Sequence, residues 1–380
     1  MHTASAARNR LMSRVPKLVL TLALLPLATS AREVPAPAEH VEADGPYVFR
    51  NGDALLARWI CNDTVYARKL LPEPAPALLP PLCGYRHAIE LMPAASASVS
   101  TLPAARRIVA LSDIHGQYDL LVTLLRAHKV IDGQDRWTMG SDTLVIAGDV
   151  FDRGPKVTEA FWLLYGLQQQ AAAAGGAVHF ILGNHETMVL YEDLRYVNPK
   201  YLRSAQLLGR SYPQLYGADS VIGRWLRTRP VLLRIGDTLF LHGGISPEAV
   251  QLALEPEATN AAYQASLGRV KAEVKADPRT APLYDGKTSP IWYRGYFDGR
   301  LDTPGVQAVL DQLGLRRIVV GHTSMPHVSS FHDGRVIAID SSIKEGRNGE
   351  LLFIEDGRVS RGLLDGTRVP LATGAMEATH

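Results

Sequence analysis

From Arg106 onward, short apolar runs alternate with amphipathic stretches. "RIVALSD", "TLVIAGD", "AVHFILGN" and "RIVVGHT" are apolar runs that stop at a glycine or a polar residue. Bounded in this way, such runs predict buried strands. Between them, "QYDLLVTLLRAHK" sets Leu120, Leu121, Leu124 and Leu125 at helical spacing, and "VTEAFWLLYGLQQQAAAA" predicts a helix closed by Gly175-Gly176. A helical region then runs to about Arg229, where Pro230 stops it. "VLLRIGDTLFLHGG" predicts a hairpin about Gly236-Asp237, and "RVIAID" and "GELLFIEDGRVSRGLL" close the chain as β-structure. Strands alternating with helices, followed by hairpins, predict an α/β sandwich with mixed sheets flanked by helices.

Ahead of Arg106 the pattern is weaker. Arg8, Arg10, Arg14 and Lys17 precede the apolar run "LVLTLALLPLA", and small residues follow up to Ala31. This order predicts a secretory signal peptide over 1–31, cleaved near Ala31, and hence a periplasmic or secreted protein. The run is short for a membrane span, so no stable insertion is expected after cleavage; an uncleaved anchor is the competing reading. Residues 32–46, rich in Pro, Ala and Glu, predict a flexible lead-in. Residues 47–105 predict a β-hairpin and loop extension: Asn51-Gly52 marks a turn, Pro72–Pro81 is too proline-dense for regular structure, and 93–105 is a small, polar loop. Residues 106–365 form the main domain, and 366–380 a flexible tail.

Composition narrows the picture. With 380 residues, 46% of them hydrophobic, the chain can bury one large core. Loss of residues 1–31 removes four positive charges and no acid, taking the formal net charge from +2 to −2. No basic excess then remains to imply a nucleic-acid partner. Cys61 and Cys83 either pair in an oxidising compartment or stay as two buried thiols. Neither lies near the candidate chemistry.

That chemistry stands at the strand ends. After "RIVAL" comes Ser112-Asp113-Ile114-His115-Gly116, and after "TLVIA" comes Gly148-Asp149-Val150-Phe151-Asp152-Arg153-Gly154. Gly183-Asn184-His185-Glu186 follows "AVHFIL", His242-Gly243-Gly244 follows "TLFL", and Gly321-His322-Thr323 follows "RIVV". Ligands gather at the carboxyl ends of strands in α/β sheets, so the five points can converge. Each motif alone is unspecific: an Asp-x-His can be a turn, Asn184 a helix cap, His242 a core histidine. Five together, all mixing Asp, Asn and His without thiolate, point to a pair of divalent ions, Mn²⁺ foremost, with Fe or Zn²⁺ as alternatives. Asp113 and His115, two apart, can share one face and one metal. Asn184, His242 and His322 can hold the other, and Asp149 can bridge both. His87, His179, His327 and His332 stand in no motif and are read as surface or core residues.

The ordered set DIHG, GDVFDRG, GNHE, HGG and GHT resembles the phosphoprotein-phosphatase branch of the calcineurin-like metallophosphoesterases, over about Arg106 to Ser341. It is most similar to the bacterial, Shewanella-like phosphatases, through "NHETMVLYEDLRYVNPKY", "PIWYRGY", the exported leader and "DGPYVF". The resemblance implies a metallophosphoesterase fold for 106–365 and a dinuclear centre held by Asp113, His115, Asp149, Asn184, His242 and His322. It implies His185 as catalytic acid, Asp152 as its orienting partner, and Arg153, Arg294 and Asn184 at the substrate phosphate.

General chemistry assigns compatible roles. Two bridged metals acidify a water, and the resulting hydroxide attacks phosphorus in line. Guanidinium groups meet the phosphoryl charge. His185, next to ligand Asn184, is placed to protonate the leaving oxygen, with Asp152 fixing its tautomer. Two departures stand out. Ser112 replaces the usual glycine of the first motif, and "AIDSS" stands where eukaryotic members carry "SAPNY", which weighs against strict Ser/Thr specificity. Shewanella-like relatives often act on phosphotyrosine. The expected function is a phosphatase acting on phosphomonoesters, phosphoproteins among them. The alternatives are a hydrolase of dinucleoside polyphosphates or other phosphoanhydrides and, from another class, an inactive periplasmic metal- or ligand-binding protein.

Overall fold

The computed structural model describes residues 1–2, 33–70, 77–91 and 99–372. Nearly all of the expected signal peptide (3–31), residues 72–76 of the proline-dense segment, residues 93–98 of the expected loop and residues 373–380 of the expected tail lie outside the described residues. Two six-stranded sheets carry the main domain. One runs, edge to edge, Arg368–Pro370, Arg358–Gly362, Leu351–Glu355, Arg107–Leu111, Thr143–Ile146 and Ala177–Phe180. The other runs Ser329–Phe331, Val336–Ala338, Arg317–Val320, Thr238–Leu241, Leu232–Ile235 and Thr101–Leu102. Both are mixed, as the alternation of helices and hairpins predicts: parallel at the strands that lead into the motifs, antiparallel toward at least one edge.

The apolar runs are buried on both faces, and their period of two decides which core each residue joins. Ile108, Ala110, Val145, Ala147, Phe240, Val319 and Ile337 meet in a cluster contributed by both sheets. Their neighbours Val109, Leu111, Leu144, Ile146, Leu239, Leu241, Ile318 and Val320 face the other way into the helical core. Leu121, Leu124 and Leu125 of the helix Tyr118–Ala127 are fully buried there, as their spacing predicts. So are Phe161, Trp162 and Leu164 of the helix Val157–Ala173. The hairpin Leu232–Ile235 to Thr238–Leu241 turns at Gly236-Asp237 as expected.

Several expectations move. Thr101–Leu102, in the expected loop, is an edge strand of the second sheet, and Leu78–Leu79, in the proline-dense stretch, pairs with Ile89–Glu90 through backbone bonds that no hydrophobic pattern announces. The N-terminal extension is a three-stranded antiparallel sheet, Ala43–Asn51, Ala54–Cys61 and Thr64–Leu70, rather than a lone hairpin. Its first strand starts inside the stretch expected to be a flexible lead-in, because buried Asp44 anchors it to Thr158 and Ser204. At the other end, Arg368–Pro370 lies inside the expected tail but pairs with Arg358–Gly362. Arg368–Pro370 is short and polar and carries little hydrophobic signal, whereas Ala43–Asn51 is anchored ahead of its apolar run by the buried carboxylate of Asp44, which hydrophobic periodicity does not register. Cys61 and Cys83 are disulfide-bonded, closing a 22-residue separation between the extension's sheet and the loop beyond it. Among the described residues no helix is long and apolar enough to cross a membrane.

Candidate active site

All five motifs begin within four residues of a strand's carboxyl end and converge. Asp113 and His115 follow Arg107–Leu111, Asp149 to Arg153 follow Thr143–Ile146, and Asn184 and His185 open the helix Asn184–Leu190 after Ala177–Phe180. His242 follows Thr238–Leu241 and His322 follows Arg317–Val320, in the second sheet. The site therefore spans the top of both sheets. Asp113, His115, Asp149, Asp152, Arg153 and His322 all have φ between 45° and 74°. That left-handed backbone is uncommon outside glycine, costs of order 1–3 kcal/mol per residue, and concentrates at functional turns. Glycines allow the turns to close on one another: a Cβ on Gly183 would collide with Asp149 Oδ1, and one on Gly148 would stand 2.5 Å from the Gly183 nitrogen.

Asp149 is the hub. Its Oδ2 lies 3.6 Å from His115 Nε2, 3.8 Å from His185 Nε2 and 3.2 Å from His242 Nε2. The ligating atoms of His115, Asp149 and His185 lie within 4.8 Å of one another, as do those of Asp149, His242 and His322. Asp113 joins the first group through Oδ1, 3.8 Å from His115 Nε2; its Oδ2 accepts from Ser112 Oγ at 2.7 Å and from the His322 amide at 2.9 Å. Asn184 joins the second group with Oδ1 2.8 Å from His242 Nε2. All six predicted ligands are buried. Nδ1 of His115 pairs with the Phe151 carbonyl at 2.7 Å, and Nδ1 of His242 with the Ala147 carbonyl at 2.8 Å. These bonds fix the rings with Nε2 toward the centre, as supporting shells of metal ligands do.

The donor set fits divalent ions. Carboxylates, an amide oxygen and imidazoles converge without thiolate. His322 Nε2 is buried with no hydrogen-bond partner. Burial, followed by the neighbouring histidines, drives the His115 and His322 imidazoles well below their usual pKa, so both are neutral and ready to ligate. Burial opposes the charge on Asp149, but His242, His185 and His115 hold its carboxyl well below the usual range. Burial also lowers His242, yet Asp149 at 3.2 Å outweighs it and pushes the imidazole up to about 9. A cation binding there displaces that proton.

His185, although its ring falls within the first of the two groups, differs from the other three histidines of the site. Its Nδ1 is 2.5 Å from Asp152 Oδ2, on a carboxylate that is fully buried. Burial lowers the His185 pKa, but Asp149 and Asp152 raise it further, so the net shift is upward. The Asp152 contact lies on the ring edge away from the ligand cluster, so the presence of metal does not remove it.

Predicted Arg153 and Arg294 line the same cavity of about 100 Å³. Arg153 lies over the Tyr196 ring at 5.2 Å. Arg294 donates through Nη1 to the His322 carbonyl at 2.7 Å and to Thr323 Oγ1 at 3.1 Å. A larger cavity of about 610 Å³, between Tyr85–Glu90 and the helix Val157–Ala173, contains none of these residues.

Four further residues contribute to the site without having been assigned a role. Glu186, fully buried, accepts from the amides of Gly183, Asp149, Val150 and Phe151 at 2.7, 2.9, 2.8 and 3.3 Å, tying the two central motifs together. Its position three residues after Gly183, as in a capping box, was the available signal. Tyr196, Trp292 and Lys344 also line the small cavity; Tyr196 and Trp292 lie in the stretches "NHETMVLYEDLRYVNPKY" and "PIWYRGY" that carry the resemblance, with no role assigned to them there, and Lys344 lies in no motif.

A two-sheet sandwich with this ligand set at its strand ends defines a metal-dependent phosphoesterase. Residues 106–326 match the calcineurin-like phosphoesterase family, and the chain belongs to it. Its relatives within the family include Shewanella-like protein phosphatases. The crystal structure of a cold-active protein-tyrosine phosphatase from a psychrophilic Shewanella species is 42% identical, with a TM-score of 0.83 over 87% of this chain and 100% of that one. Shewanella-like protein phosphatase 2 of Arabidopsis thaliana is 27% identical over 295 residues, covering 63% of this chain and 72% of its own. A symmetrical bis(5'-nucleosyl)-tetraphosphatase of Neisseria meningitidis is 32% identical over 158 residues, covering 39% of this chain and 49% of its own.

Proposed function

We propose that this protein is an exported phosphomonoesterase with a dinuclear metal centre, acting on phosphotyrosine and similar aryl phosphates. The observation that carries the reading is Asp149 Oδ2, set between two imidazole groups in a cavity that both arginines also line. Asp113, His115 and Asp149 would hold one divalent ion; Asp149, Asn184, His242 and His322 the other; Mn²⁺ is the first candidate. When bound, such a pair supplies a nucleophile from water near neutral pH and offsets phosphoryl charge. The chain's own residues do the rest. Arg153 and Arg294 orient the phosphoryl group with charge-assisted hydrogen bonds. His185, held by Asp152, presents a protonated Nε2 to the leaving oxygen. Asn184 stands at the phosphate as well.

The 42% identical Shewanella protein, a cold-active protein-tyrosine phosphatase, supports the aryl preference. So do the two rings at the cavity, Tyr196 and Trp292, which can flank a phenyl group. The leader pattern of 1–31 and the Cys61–Cys83 bond support export. A second reading, hydrolysis of dinucleoside polyphosphates, is favoured by partial matches to symmetrical bis(5'-nucleosyl)-tetraphosphatases, each covering well under half of this chain.

The test uses residues 32–380, stripped by a chelator and reloaded with Mn²⁺, acting on p-nitrophenyl phosphate, a phosphotyrosine peptide and diadenosine tetraphosphate. Metal-restored hydrolysis of the first two, lost in Asp149→Asn, is the expected outcome. A folded, metal-loaded protein that cleaves only the dinucleotide overturns the phosphomonoesterase reading.

A further inference from the structure

Lys344 is not part of any motif that led to the site, yet its side chain lines the same cavity of about 100 Å³ as Arg153, Arg294 and the ligand set. A phosphoryl group entering this cavity has Arg153, Arg294 and Lys344 on the walls around it. We propose that Lys344 is a third cationic contact to the substrate phosphoryl group, and so a determinant of substrate affinity in this phosphatase; the inference rests on the phosphomonoesterase reading above.

The lysine is held in place from below. It sits in the one-turn 3₁₀ helix Ile343–Glu345, which follows Ser342 in a left-handed conformation at φ 62°. Ser342 donates its amide to Asp340 Oδ1 at 3.1 Å and its hydroxyl to the Met325 carbonyl at 2.9 Å. Gln117, just past the first motif, donates to the Lys344 carbonyl at 3.1 Å. The turn is thereby tied to both halves of the site.

The ammonium has a partner but is not consumed by it. Nζ lies 3.7 Å from Oδ2 of fully buried Asp340 and also bonds Ser324 Oγ. Asp340 already accepts from Ser324 Oγ at 2.6 Å and from the Ser342 amide, so the carboxylate does not depend on the lysine for its hydrogen bonds. An ammonium with three donors can serve both contacts and still offer one to a phosphoryl oxygen. The side chain is 20% exposed, enough to reach an incoming anion while shielded from bulk water. Partial burial strengthens such a contact relative to a surface pair.

The experiment compares the metal-loaded protein with Lys344→Met, Lys344→Gln and Lys344→Arg, on p-nitrophenyl phosphate and with inorganic phosphate as competitive inhibitor. Loss of one charge-assisted contact to an anion is worth roughly a factor of ten. In Lys344→Met, KM and the inhibition constant of phosphate should both rise about tenfold while kcat stays within about twofold, the signature of binding lost equally from ground and transition states. Lys344→Arg should recover most of the affinity, and metal content should stay the same throughout. A phosphate inhibition constant unchanged in Lys344→Met, with a lower melting temperature, would make the lysine a tether for Asp340 and overturn the proposal. If Lys344→Met does not fold, Lys344→Gln keeps a hydrogen bond to Ser324 while removing the charge, and its inhibition constant decides. An unsubstituted protein that cleaves no phosphomonoester would overturn the underlying reading, a result distinct from either.

Discussion

His185 and Glu186 are adjacent, both buried, and do opposite work. His185 faces the cavity with one nitrogen and Asp152 with the other. Its value as an acid depends on how badly the leaving group needs a proton. His185→Asn should therefore lower kcat for an alkyl phosphate by roughly 10²–10⁴, and for p-nitrophenyl phosphate by much less. Rates across a series of esters of rising leaving-group pKa would check this; equal losses throughout would deny His185 the role. Glu186 touches no substrate. It gathers four amides from the two loops that carry Asp149 and Asn184. Glu186→Gln keeps the shape but replaces one acceptor oxygen with a donor, against amides that also donate. Metal affinity should fall roughly 10–100-fold, as is typical when a supporting residue of a metal site is lost, and a metal titration followed by activity would read it.

At the scale of elements, the N-terminal sheet is joined to the main domain through a buried charge. Asp44 accepts from Thr158 Oγ1, Ser204 Oγ, Tyr47 OH and the Gly45 amide, at 2.5–3.0 Å, and lies 3.6 Å from Lys200 Nζ. Asp44→Ala leaves those donors buried and unpaired and should cost about 3 kcal/mol of stability, measurable by denaturant unfolding. The edge strand Ala177–Phe180 carries a different charge problem. Burial, then the charge of Arg229, lowers His179 from 6.5 to about 4. The unfolded chain thus binds the proton more readily. Stability from this group is fully present above pH 6.5 and is lost as pH falls toward about 4. His179→Leu should flatten the dependence of melting temperature on pH across that window; an unchanged slope would place the acid sensitivity elsewhere.

For the whole molecule, the separation of the motifs between two sheets has a consequence. The ligands for one metal group come mainly from the first sheet, while His242 and His322 come from the second. Metal held by both groups would therefore clamp the sandwich across its top, and chelation should lower the melting temperature as well as activity. The disulfide acts at the other margin. Closing a loop of 22 residues restricts the unfolded chain by about 3 kcal/mol, so reduction should lower thermal stability while leaving turnover at low temperature nearly unchanged.

What the sequence determined by itself was the chemistry. Five apolar runs, each followed by Asp, Asn or His close to a glycine, were enough to single out six candidate ligands, because a buried strand and a polar turn each leave a local signature; the roles of His185, Asp152, Arg153 and Arg294 came from the family resemblance of the motifs. The sandwich class was legible for the same reason: strand and helix periods are short-range. What only the tertiary structure decided was how these pieces meet. That Asp149 Oδ2 stands among three imidazoles, that Glu186 ties two loops, and that Tyr196, Trp292 and Lys344 wall the same cavity are contacts between residues far apart in the chain. The third strand of the N-terminal sheet and the pairing of Arg368–Pro370 were likewise hidden. An edge strand is stabilised by the hydrogen bonds of its neighbour rather than by a hydrophobic pattern of its own, and that neighbour exists only once the chain has folded.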